Sequence, residues 1–347
     1  MNASPAPAHA LDRPLAVTMG EPAGVGGDIL LKAWSRRDEG LPVFFAIDDP
    51  GRLISLAKNL HLDVPVRIIA EPREAFELFQ DALPVLSQPL VTPSTPGAPD
   101  PRNAQSVIGS IERAVALTKN NKAAAVVTNP IAKEALYEAG FKFPGHTEFL
   151  AHLAKSGQSD LKPVMMLACD KLRVVLATVH VSVKDAVAQL NADTICEVAR
   201  ITHAALKRDF AIADPILAVA GLNPHAGEGG AMGREEIEII APAIKRLTAE
   251  GLRVIGPMPP DTMFTSKALP TYDAALCMYH DQGLIPLKTL DFERGVNATL
   301  GLPFVRTSPD HGTAFDIAGT GKASAESLIA ALRMAASMAE ARAQSGA

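Results

Sequence analysis

The sequence predicts an α/β protein with a largely parallel sheet, and two observations lead to this fold class. Apolar runs of strand length alternate with stretches of helical periodicity along most of the chain. Within each run the apolar residues are mostly continuous, which is typical of strands covered on both faces. At 347 residues, the chain is also long enough to form two domains.

Seven apolar runs are predicted strands. In chain order they are PLAVTM (14–19), PVFFAI (42–47), AAAVVTN (123–129), LRVVLATV (172–179), PILAVAGL (215–222), LRVIGPM (252–258) and AALCMY (274–279). The predicted helices cover 27–37, 106–120, 146–157, 194–209, 234–251 and a closing helix over 322–343. The helix over 234–251 has acidic residues in its first turn and Gly251 at its end, which are favourable charge and C-cap signals. The Pro-rich stretch 90–103 is predicted to be a surface loop.

The composition argues against several functional classes. The formal charge is -5, whereas extended nucleic-acid binding usually needs a basic face. No apolar run is long enough to span a bilayer, so membrane insertion is not expected. The three cysteines never form a CxxC pair, and the first residues lack the features of a signal peptide, which together predict a cytoplasmic protein. Residues 1–12 are predicted to be a disordered tail.

Three of the predicted strands lead directly into a histidine. His180 follows the strand over 172–179, His280 follows AALCMY, and two residues separate His225 from the end of PILAVAGL. Ligands of open α/β sheets bind outside the carboxyl ends of the strands, and three histidines with open positions form a catalytic metal site. A single histidine is more often a structural residue; the repeated placement is what favours metal binding.

Polar and cationic side chains downstream of these histidines are candidate anion binders. Lys288 follows His280 by a short turn, Asn297 lies in the next loop, and Arg306 follows the segment LGLPFV. Lysine and arginine bind phosphate or carboxylate, and the planar guanidinium favours bidentate contact. Each residue alone is better explained as a surface charge, but together they predict a site for an anionic substrate.

Two glycine-rich loops fail to match the standard nucleotide-binding motifs. MGEPAGVGGDIL (19–30) precedes a predicted helix, where an anion can bind, but it lacks the GxGxxG spacing. AGTGKAS (318–324) resembles a P-loop, yet Asp316 occupies the first glycine position and Ala323 the Ser/Thr position. Neither a standard Rossmann site nor P-loop ATP chemistry is therefore supported.

Five segments, in this order, resemble the family of the 4-hydroxythreonine-4-phosphate dehydrogenases of vitamin B6 biosynthesis. They are VTNPIAKEAL, FPGHTEFLA, GLNPHAGEGG, MYHDQGLIPLK and VRTSPDHGTAFDIAGTG. The resemblance extends over residues 14–335, and five motifs with matching order and spacing are specific. The chain departs from the family at Gly27, where proline is common, and glycine leaves the helix start less constrained.

The resemblance implies two α/β/α lobes with a cleft between them, similar to the isocitrate and isopropylmalate dehydrogenases. Residues 13–130 and 306–347 would form the first lobe, on the side of the NAD adenosine. Residues 131–305 would form the second lobe, which carries the metal ligands and the dimer interface. The family further implies a homodimer whose active site lies at the subunit interface, and NAD binding without a Rossmann motif.

The resemblance also implies individual roles. The metal ligands are His180, His225 and His280; the substrate-binding residues are His146, Thr147, Lys288, Asn297 and Arg306; the cofactor-binding residues are His311, Gly312, Thr313 and Asp316. Asp281 and Lys288 are the candidates for accepting the proton, and Asp281 alternatively orients a metal ligand. Zinc, magnesium, manganese and cobalt all remain open as the metal.

The activity that the resemblance implies is NAD-dependent (or NADP-dependent), metal-assisted oxidation of 4-phosphooxy-L-threonine. Decarboxylation would then give 3-amino-2-oxopropyl phosphate. The motifs do not separate this activity from that of relatives acting on phosphorylated threonates or aromatic cis-dihydrodiols. Two hypotheses from other classes stay open: a metal-dependent hydrolase, because three histidines also activate water, and a sugar-phosphate or acid-binding protein without catalysis.

Overall fold

The computed structural model describes residues 11–155 and 161–346. The predicted tail, residues 1–12, lies outside the described residues except for its last two positions. Contacts divide the described chain into two compact units. Unit 1 contains the residues up to 155 together with Pro303–Gly346, and unit 2 runs from 161 to Leu302.

The described strands of unit 1 are all parallel to one another, as the continuous apolar runs predict. They are Leu15–Thr18 (β1), Phe44–Asp48 (β2), Val66–Ile69 (β3), Leu83–Ser87 (β4), Val126–Val127 (β5) and, after six strands in unit 2, Arg306–Pro309 (β12). Their order is β3-β4-β2-β1-β5-β12, and each neighbouring pair is parallel. Every residue of β1 and β2 is buried, whereas the edge strand β3 is largely exposed.

The described part of unit 1 contains seven α-helices. They are Gly26–Ser35 (α1), Pro50–Asn59 (α2), Ala75–Leu78 (α3), Ala104–Lys119 (α4), Lys133–Glu138 (α5), His146–Ala154 (α6) and the closing Glu326–Gln344 (α12). The start of α2 is set by Asp49, whose Oδ1 accepts from the Arg52 N–H at 2.9 Å, and by Pro50 at the first helical position.

The core of unit 1 is built around aromatic side chains. Trp34, Phe44, Phe45 and Phe79 are all less than 2% exposed. The rings of Phe44 and Phe79 meet edge to face with 4.9 Å between their centroids, and the Trp34 Nε1–H donates to the Phe79 carbonyl at 3.0 Å. Satisfying the indole N–H allows this large side chain to be buried fully.

Unit 2 mixes parallel and antiparallel strands. They are Val164–Cys169 (β6), Leu172–Leu176 (β7), Ile216–Ala220 (β8), Arg253–Met258 (β9), Ala274–Cys277 (β10) and Val296–Leu300 (β11). Their order is β11-β6-β7-β10-β8-β9. Strand β6 is antiparallel to both β7 and β11. Its pairing with β7 is antiparallel because only Asp170 and Lys171 connect the two strands. The segment β7-β10-β8-β9 is parallel.

The helices of unit 2 are Val183–Gln189 (α7), Ala192–Phe210 (α8), Ala241–Ala249 (α9), Pro260–Met263 (α10) and His280–Leu290 (α11). The single helix predicted over 234–251 is interrupted: a π-helical turn, Glu236–Ile240, precedes α9. Pro242 lies in the first turn of α9 and has no N–H to donate into the preceding turn, which explains why a regular α-helix does not continue there.

All seven predicted strands are found, but β3, β4, β6, β11 and β12 were not predicted. Strand β3 lies at the edge of the sheet and contains the exposed Arg67, and β4 contains Pro84, so neither has a continuous apolar sequence. Polar residues stand in β11 and β12, at Asn297, Thr299 and Arg306. Edge position and buried polar residues both weaken the sequence signal of a strand.

The predicted domain boundary at residue 131 is wrong. Residues 131–155 belong to unit 1. Leu136 lies in one apolar cluster with Met19 and Val107, and Phe141 packs against that cluster. Because this segment buries its apolar side chains against β1 and α4, it cannot belong to the second unit.

The state of the cysteines and the character of the helices can be compared with the expectations from composition. Cys169, Cys196 and Cys277 are buried and unbridged, and burial raises the pKa of the Cys277 thiol. In the described part of the chain, no helix combines the length and apolar character that a membrane crossing requires.

Candidate active site and metal centre

The three strand-end histidines leave one edge of the unit 2 sheet. Strand β10 lies between β7 and β8 and pairs in parallel with both. The carboxyl ends of these strands therefore share one edge. His180, His225 and His280 lie in the segments that follow β7, β8 and β10, and His280 is the first residue of α11. The predicted strands were too long, because each strand ends a few residues before its histidine.

Two of these histidines lie close together. The ring centroids of His180 and His280 are 5.7 Å apart, with the rings tilted by 45°. The His280 Nδ1 lies 2.7 Å from Asp281 Oδ1. A carboxylate on Nδ1 orients the ring and directs Nε2 outward as a ligand, which is the usual partnership of metal-binding histidines. The donor chemistry of this pair fits a divalent transition metal.

His225 lies in an unusual backbone segment. It adopts a left-handed conformation with φ of 51°, and Ala226, Gly227, Glu228 and Gly229 after it also have positive φ. Within residues 11–155 and 161–346, no three His, Cys, Asp or Glu side chains are grouped so that they could hold one metal ion. The joint ligation of a metal by His180, His225 and His280 therefore stays a prediction.

The segment that carries His225 is held by a buried carboxylate. Glu236, 3% exposed, accepts at Oε1 from the N–H groups of Leu222 and Asn223, at 2.8 and 2.7 Å. Its Oε2 accepts from the Asn223 side-chain amide at 2.9 Å. Burial raises the pKa of Glu236, but the hydrogen bonds from Asn223 and Leu222 outweigh burial and lower it overall, so the carboxylate stays ionised.

A second candidate site lies in unit 1 around Arg306. This arginine, the first residue of β12, is 3% exposed. Its Nε and Nη2 donate to the Thr128 hydroxyl at 3.2 and 2.7 Å. Burial lowers the pKa of Arg306 to about 10, which leaves the guanidinium charged at neutral pH. A buried cation with a polar neighbour suits a phosphate or carboxylate of a ligand.

His146 completes this unit 1 site. Its Nε2 is inaccessible to solvent and has no hydrogen-bond partner. Burial, then the charges of Arg306 and Lys133, lower the pKa of His146 well below 6.5, so the imidazole is neutral. His146 and Thr147 open α6, whose N-cap residue Gly145 supplies no capping side chain. An unpartnered ring nitrogen beside a charged guanidinium and a helix N-terminus fits an anionic group of a substrate.

The other predicted substrate residues lie in unit 2. Asn297 stands in β11, and its Oδ1 is buried without a hydrogen-bond partner. Lys288 is in the last turn of α11, with its Nζ 5.5 Å from the ring centroid of Phe292. The buried Oδ1 of Asn297 can therefore accept a hydrogen bond from a bound ligand.

The predicted cofactor residues lie in the loop that follows β12. His311, Gly312 and Asp316 are exposed, and the His311 Nδ1 lies 3.0 Å from the Gly312 carbonyl. The Thr313 carbonyl accepts from the Val25 N–H at 3.0 Å, which ties the loop to the start of α1.

A cavity of about 360 Å³ lies in unit 1 beside this loop. Its lining includes Asp28, Arg52, Leu90 and Thr92, but none of the predicted cofactor residues. Asp28 accepts at Oδ1 from the Gly319 N–H at 2.9 Å, its Oδ2 has no partner, and burial raises its pKa. The cavity is within the size range of small-molecule sites.

Gly27, where the family commonly has proline, lies inside α1 next to this cavity. A Cβ at this position would come within 2.6 Å of Leu56 Cδ2 and 2.9 Å of Arg52 Nη1. Arg52 pairs with the fully buried Asp48 at 2.7 Å. Glycine at position 27 thus leaves room for a buried ion pair that the sequence did not predict.

Several polar residues of these sites were missed from the sequence. Thr128, Asn129 and Lys133 lie in the segment VTNPIAKEAL, which was part of the resemblance but had no role assigned. The Asn129 side chain donates to the Thr18 carbonyl at 3.0 Å, and its buried Oδ1 has no partner. The signal that could have found them is the polar end of a buried strand, the same signal that identified the histidines.

Comparison with known proteins places the chain in a family. The model of the family described as pyridoxal phosphate biosynthetic protein PdxA matches residues 43–335. The 4-hydroxythreonine-4-phosphate dehydrogenase of Bradyrhizobium diazoefficiens is 52% identical over 338 residues, which cover 95% of this chain and 98% of that protein. The enzyme of the same name from Caulobacter vibrioides is 52% identical over 332 residues, covering 95% and 98%.

Solved structures give the same result. A crystal structure of 4-hydroxythreonine-4-phosphate dehydrogenase from Klebsiella pneumoniae superposes with a TM-score of 0.84 at 40% identity, covering 94% of this chain and 99% of that one. A terephthalate 1,2-cis-dihydrodiol dehydrogenase from Burkholderia xenovorans superposes with a TM-score of 0.63 at 27% identity, covering 94% and 98%. The α/β fold with a mostly parallel sheet is thus confirmed.

Proposed function

Because the chain belongs to the family of the pyridoxal phosphate biosynthetic protein PdxA, we propose that it is a 4-hydroxythreonine-4-phosphate dehydrogenase. The proposed reaction is the NAD-dependent, divalent-metal-assisted oxidation of 4-phosphooxy-L-threonine, followed by decarboxylation to 3-amino-2-oxopropyl phosphate. The carrying observation is the 52% identity to the Bradyrhizobium diazoefficiens enzyme over 95% of this chain. This reaction would serve pyridoxal phosphate biosynthesis in the cytoplasm.

The unit 1 site supports binding of an anionic substrate. Arg306 keeps a positive charge in a buried position, and a phosphate or carboxylate oxygen would replace the water that burial has removed. The neutral His146 can donate one hydrogen bond from Nε2 to the same group. In this proposal Arg306, His146 and Thr147 hold one charged end of the substrate.

The residues of unit 2 would act on the reacting carbon. His180, His225 and His280 would hold the divalent ion through imidazole nitrogens, with Asp281 orienting His280. When bound, the ion would stabilise negative charge on the substrate oxygens, and the nicotinamide would accept the hydride. Asp281 and Lys288 are the two candidates to accept the hydroxyl proton.

A homodimer is part of the proposal, supported by the exposed apolar surface of unit 2. The exposed large apolar side chains of unit 2 are Val181, Val183, Val187, Met232, Ile237, Ile255, Ile285 and Phe292. Phe292 is 76% exposed and Ile285 63%. In this proposal, these side chains lie on the surface that the partner subunit would cover.

The test is NADH formation by metal-stripped enzyme, before and after reloading with a divalent ion. The substrates compared are 4-phosphooxy-L-threonine, a phosphorylated threonate and an aromatic cis-dihydrodiol, each with NAD and with NADP. We expect metal-dependent turnover of the first compound with NAD. If no NADH forms with it at any metal loading, the proposed activity is refuted.

The terephthalate dihydrodiol dehydrogenase supports a second candidate, because it is 27% identical over 94% of this chain. Turnover of a cis-dihydrodiol alone would favour this branch. The identity to the 4-hydroxythreonine-4-phosphate dehydrogenases is much higher, which is why they provide the first candidate.

A further inference from the structure

A series of buried side-chain hydrogen bonds connects the ends of the three strands that lead to the histidines. The Thr178 hydroxyl, just beyond β7, donates to the Met278 carbonyl, just beyond β10, at 2.7 Å. The Gln282 Oε1 accepts from the Met278 N–H at 2.7 Å, and its Nε2 donates to the Gly221 carbonyl, just beyond β8, also at 2.7 Å. Thr178 and Gln282 thus span all three strand ends.

Glu236 adds hydrogen bonds to the segment that follows β8. Leu222 and Asn223, which follow Gly221 directly, both donate their N–H groups to Glu236 Oε1. We name Thr178, Gln282 and Glu236 the strand-end network. Their side chains are buried, at 8%, 7% and 3% exposure, so their hydrogen bonds are protected from competition with water.

Three residues that take part in these hydrogen bonds lie two positions before a histidine. Thr178 precedes His180, Met278 precedes His280, and Asn223 precedes His225. The hydrogen bonds therefore act on the backbone where it leaves the sheet, next to each imidazole. The left-handed backbone at His225 is an unfavourable conformation that persists only when its surroundings hold it.

We propose that Thr178, Gln282 and Glu236 are positioning residues that hold the backbone next to the three histidines and thereby set the affinity for the divalent ion. This inference rests on the proposed metal site and adds the residues that shape it. In this proposal all three act through the backbone and do not touch the substrate. Outer residues that orient metal ligands typically affect metal affinity by about 10- to 100-fold, which makes the network measurable by metal binding alone.

The experiment measures Co²⁺ binding to full-length, metal-stripped protein by calorimetry and by the visible spectrum of the bound ion. Thr178→Val keeps the shape of the side chain but removes the hydroxyl, and Thr178→Ser restores it. Thr202→Val is the matched control, because the Thr202 hydroxyl is fully buried in unit 2 and bonds only to Val198 of its own helix, at 2.7 Å. Gln282→Met is a second, stronger variant.

We expect Thr178→Val and Gln282→Met to weaken Co²⁺ binding about 10-fold or more and to change the visible spectrum. Thr178→Ser and Thr202→Val should bind like the wild type. Thermal unfolding of every variant shows that binding is measured on folded protein, and Thr178→Val suffices if Gln282→Met fails to fold.

Two results would overturn the inference in distinguishable ways. If the wild type binds Co²⁺ and Thr178→Val binds it equally well with the same spectrum, the positioning role is wrong and the proposed function stands. If the wild type binds no divalent ion, the metal site in the proposed function is wrong and the positioning role falls with it.

Discussion

Arg306 supplies the buried positive charge of the unit 1 site. Replacing it with methionine keeps an apolar stem but removes the donors that an anionic substrate needs. We expect kcat/KM to fall roughly 30- to 150-fold, corresponding to about 2–3 kcal/mol for hydrogen bonds to a charged group. The kcat/KM of Arg306→Lys should lie between those of the wild type and Arg306→Met, because lysine keeps the charge but lacks the planar pair of donors.

The control for Arg306 is Arg253→Met, since Arg253 is half-exposed and pairs with Asp214 at the surface. Its kcat/KM should match that of the wild type. Steady-state kinetics at several substrate concentrations make the comparison. Unchanged kcat/KM in Arg306→Met would remove Arg306 from the substrate site.

His146 should make folding stability depend on pH. Its folded-state pKa lies well below the ordinary value of 6.5, so below pH 6.5 the unfolded chain takes up a proton that the folded chain excludes. Stability is therefore fully present above pH 6.5 and decreases as the pH falls towards the folded-state pKa. The slope from this residue is at most about 1.4 kcal/mol per pH unit.

The measurement is urea unfolding at pH 7 and pH 5.5, followed by circular dichroism. Between these values the wild type should lose about 1 kcal/mol more of its free energy of unfolding than His146→Gln does. Parallel losses in the two proteins would show that His146 titrates normally in the folded state.

At the scale of elements, the segment after β8 is the most constrained part of unit 2. Gly227 has a φ of 82°, and a Cβ there would come within 2.6 Å of Glu236 Oε2. Gly229 has a φ of 65°, but a Cβ there would meet nothing within 4 Å. Alanine at either position would adopt an unfavourable left-handed backbone conformation. Only at position 227 would its Cβ also clash with Glu236.

We therefore expect Gly227→Ala to destabilise the protein by about 2–3 kcal/mol and Gly229→Ala by about 1 kcal/mol. The shared part reflects the left-handed backbone, and the difference reflects displacement of the Glu236 carboxylate. Thermal unfolding of both variants measures this difference. Equal loss of stability in the two variants would show that the Glu236 carboxylate can move aside without lowering the free energy of unfolding.

The strand-end histidines could be predicted because the local sequence carries the signal: a buried strand is a continuous apolar run, and a polar residue marks its end. The contact between Thr128 and Arg306 could not, because 178 positions separate the two residues. The same holds for Gln282 and Gly221, which meet only because β8 and β10 are neighbours in the sheet. Strand order is a tertiary property that periodicity does not encode.

The antiparallel strands show the same limit. An apolar run does not state the direction of its neighbours, so the antiparallel pairing of β6 with β7 and β11 was not foreseen within a sheet expected to be largely parallel. The boundary near residue 131 failed for a related reason, since the apolar residues of 131–155 carry no indication of which core buries them. The resemblance to a family gave the roles of residues but not these contacts.

For the whole molecule, the exposed apolar surface of unit 2 predicts that the protein in solution has about twice the chain mass of 36.5 kDa. Ile285→Asp should shift the population towards monomer, because a buried charge without a partner opposes association. Ile68→Asp is the matched control: Ile68 is 65% exposed and Ile285 63%, but Ile68 lies in unit 1. Multi-angle light scattering gives the masses, and a monomeric wild type would contradict the proposed homodimer.

The distribution of two residue types gives each unit its own spectroscopic or chemical reporter. Trp34, the only tryptophan of the chain, lies in the core of unit 1, while all three cysteines are buried in unit 2. Intrinsic fluorescence therefore follows the opening of unit 1, and the reactivity of thiols with a colorimetric reagent follows the opening of unit 2. The two signals, recorded on the unmodified protein along one denaturant series, distinguish a single cooperative transition from the separate unfolding of the units.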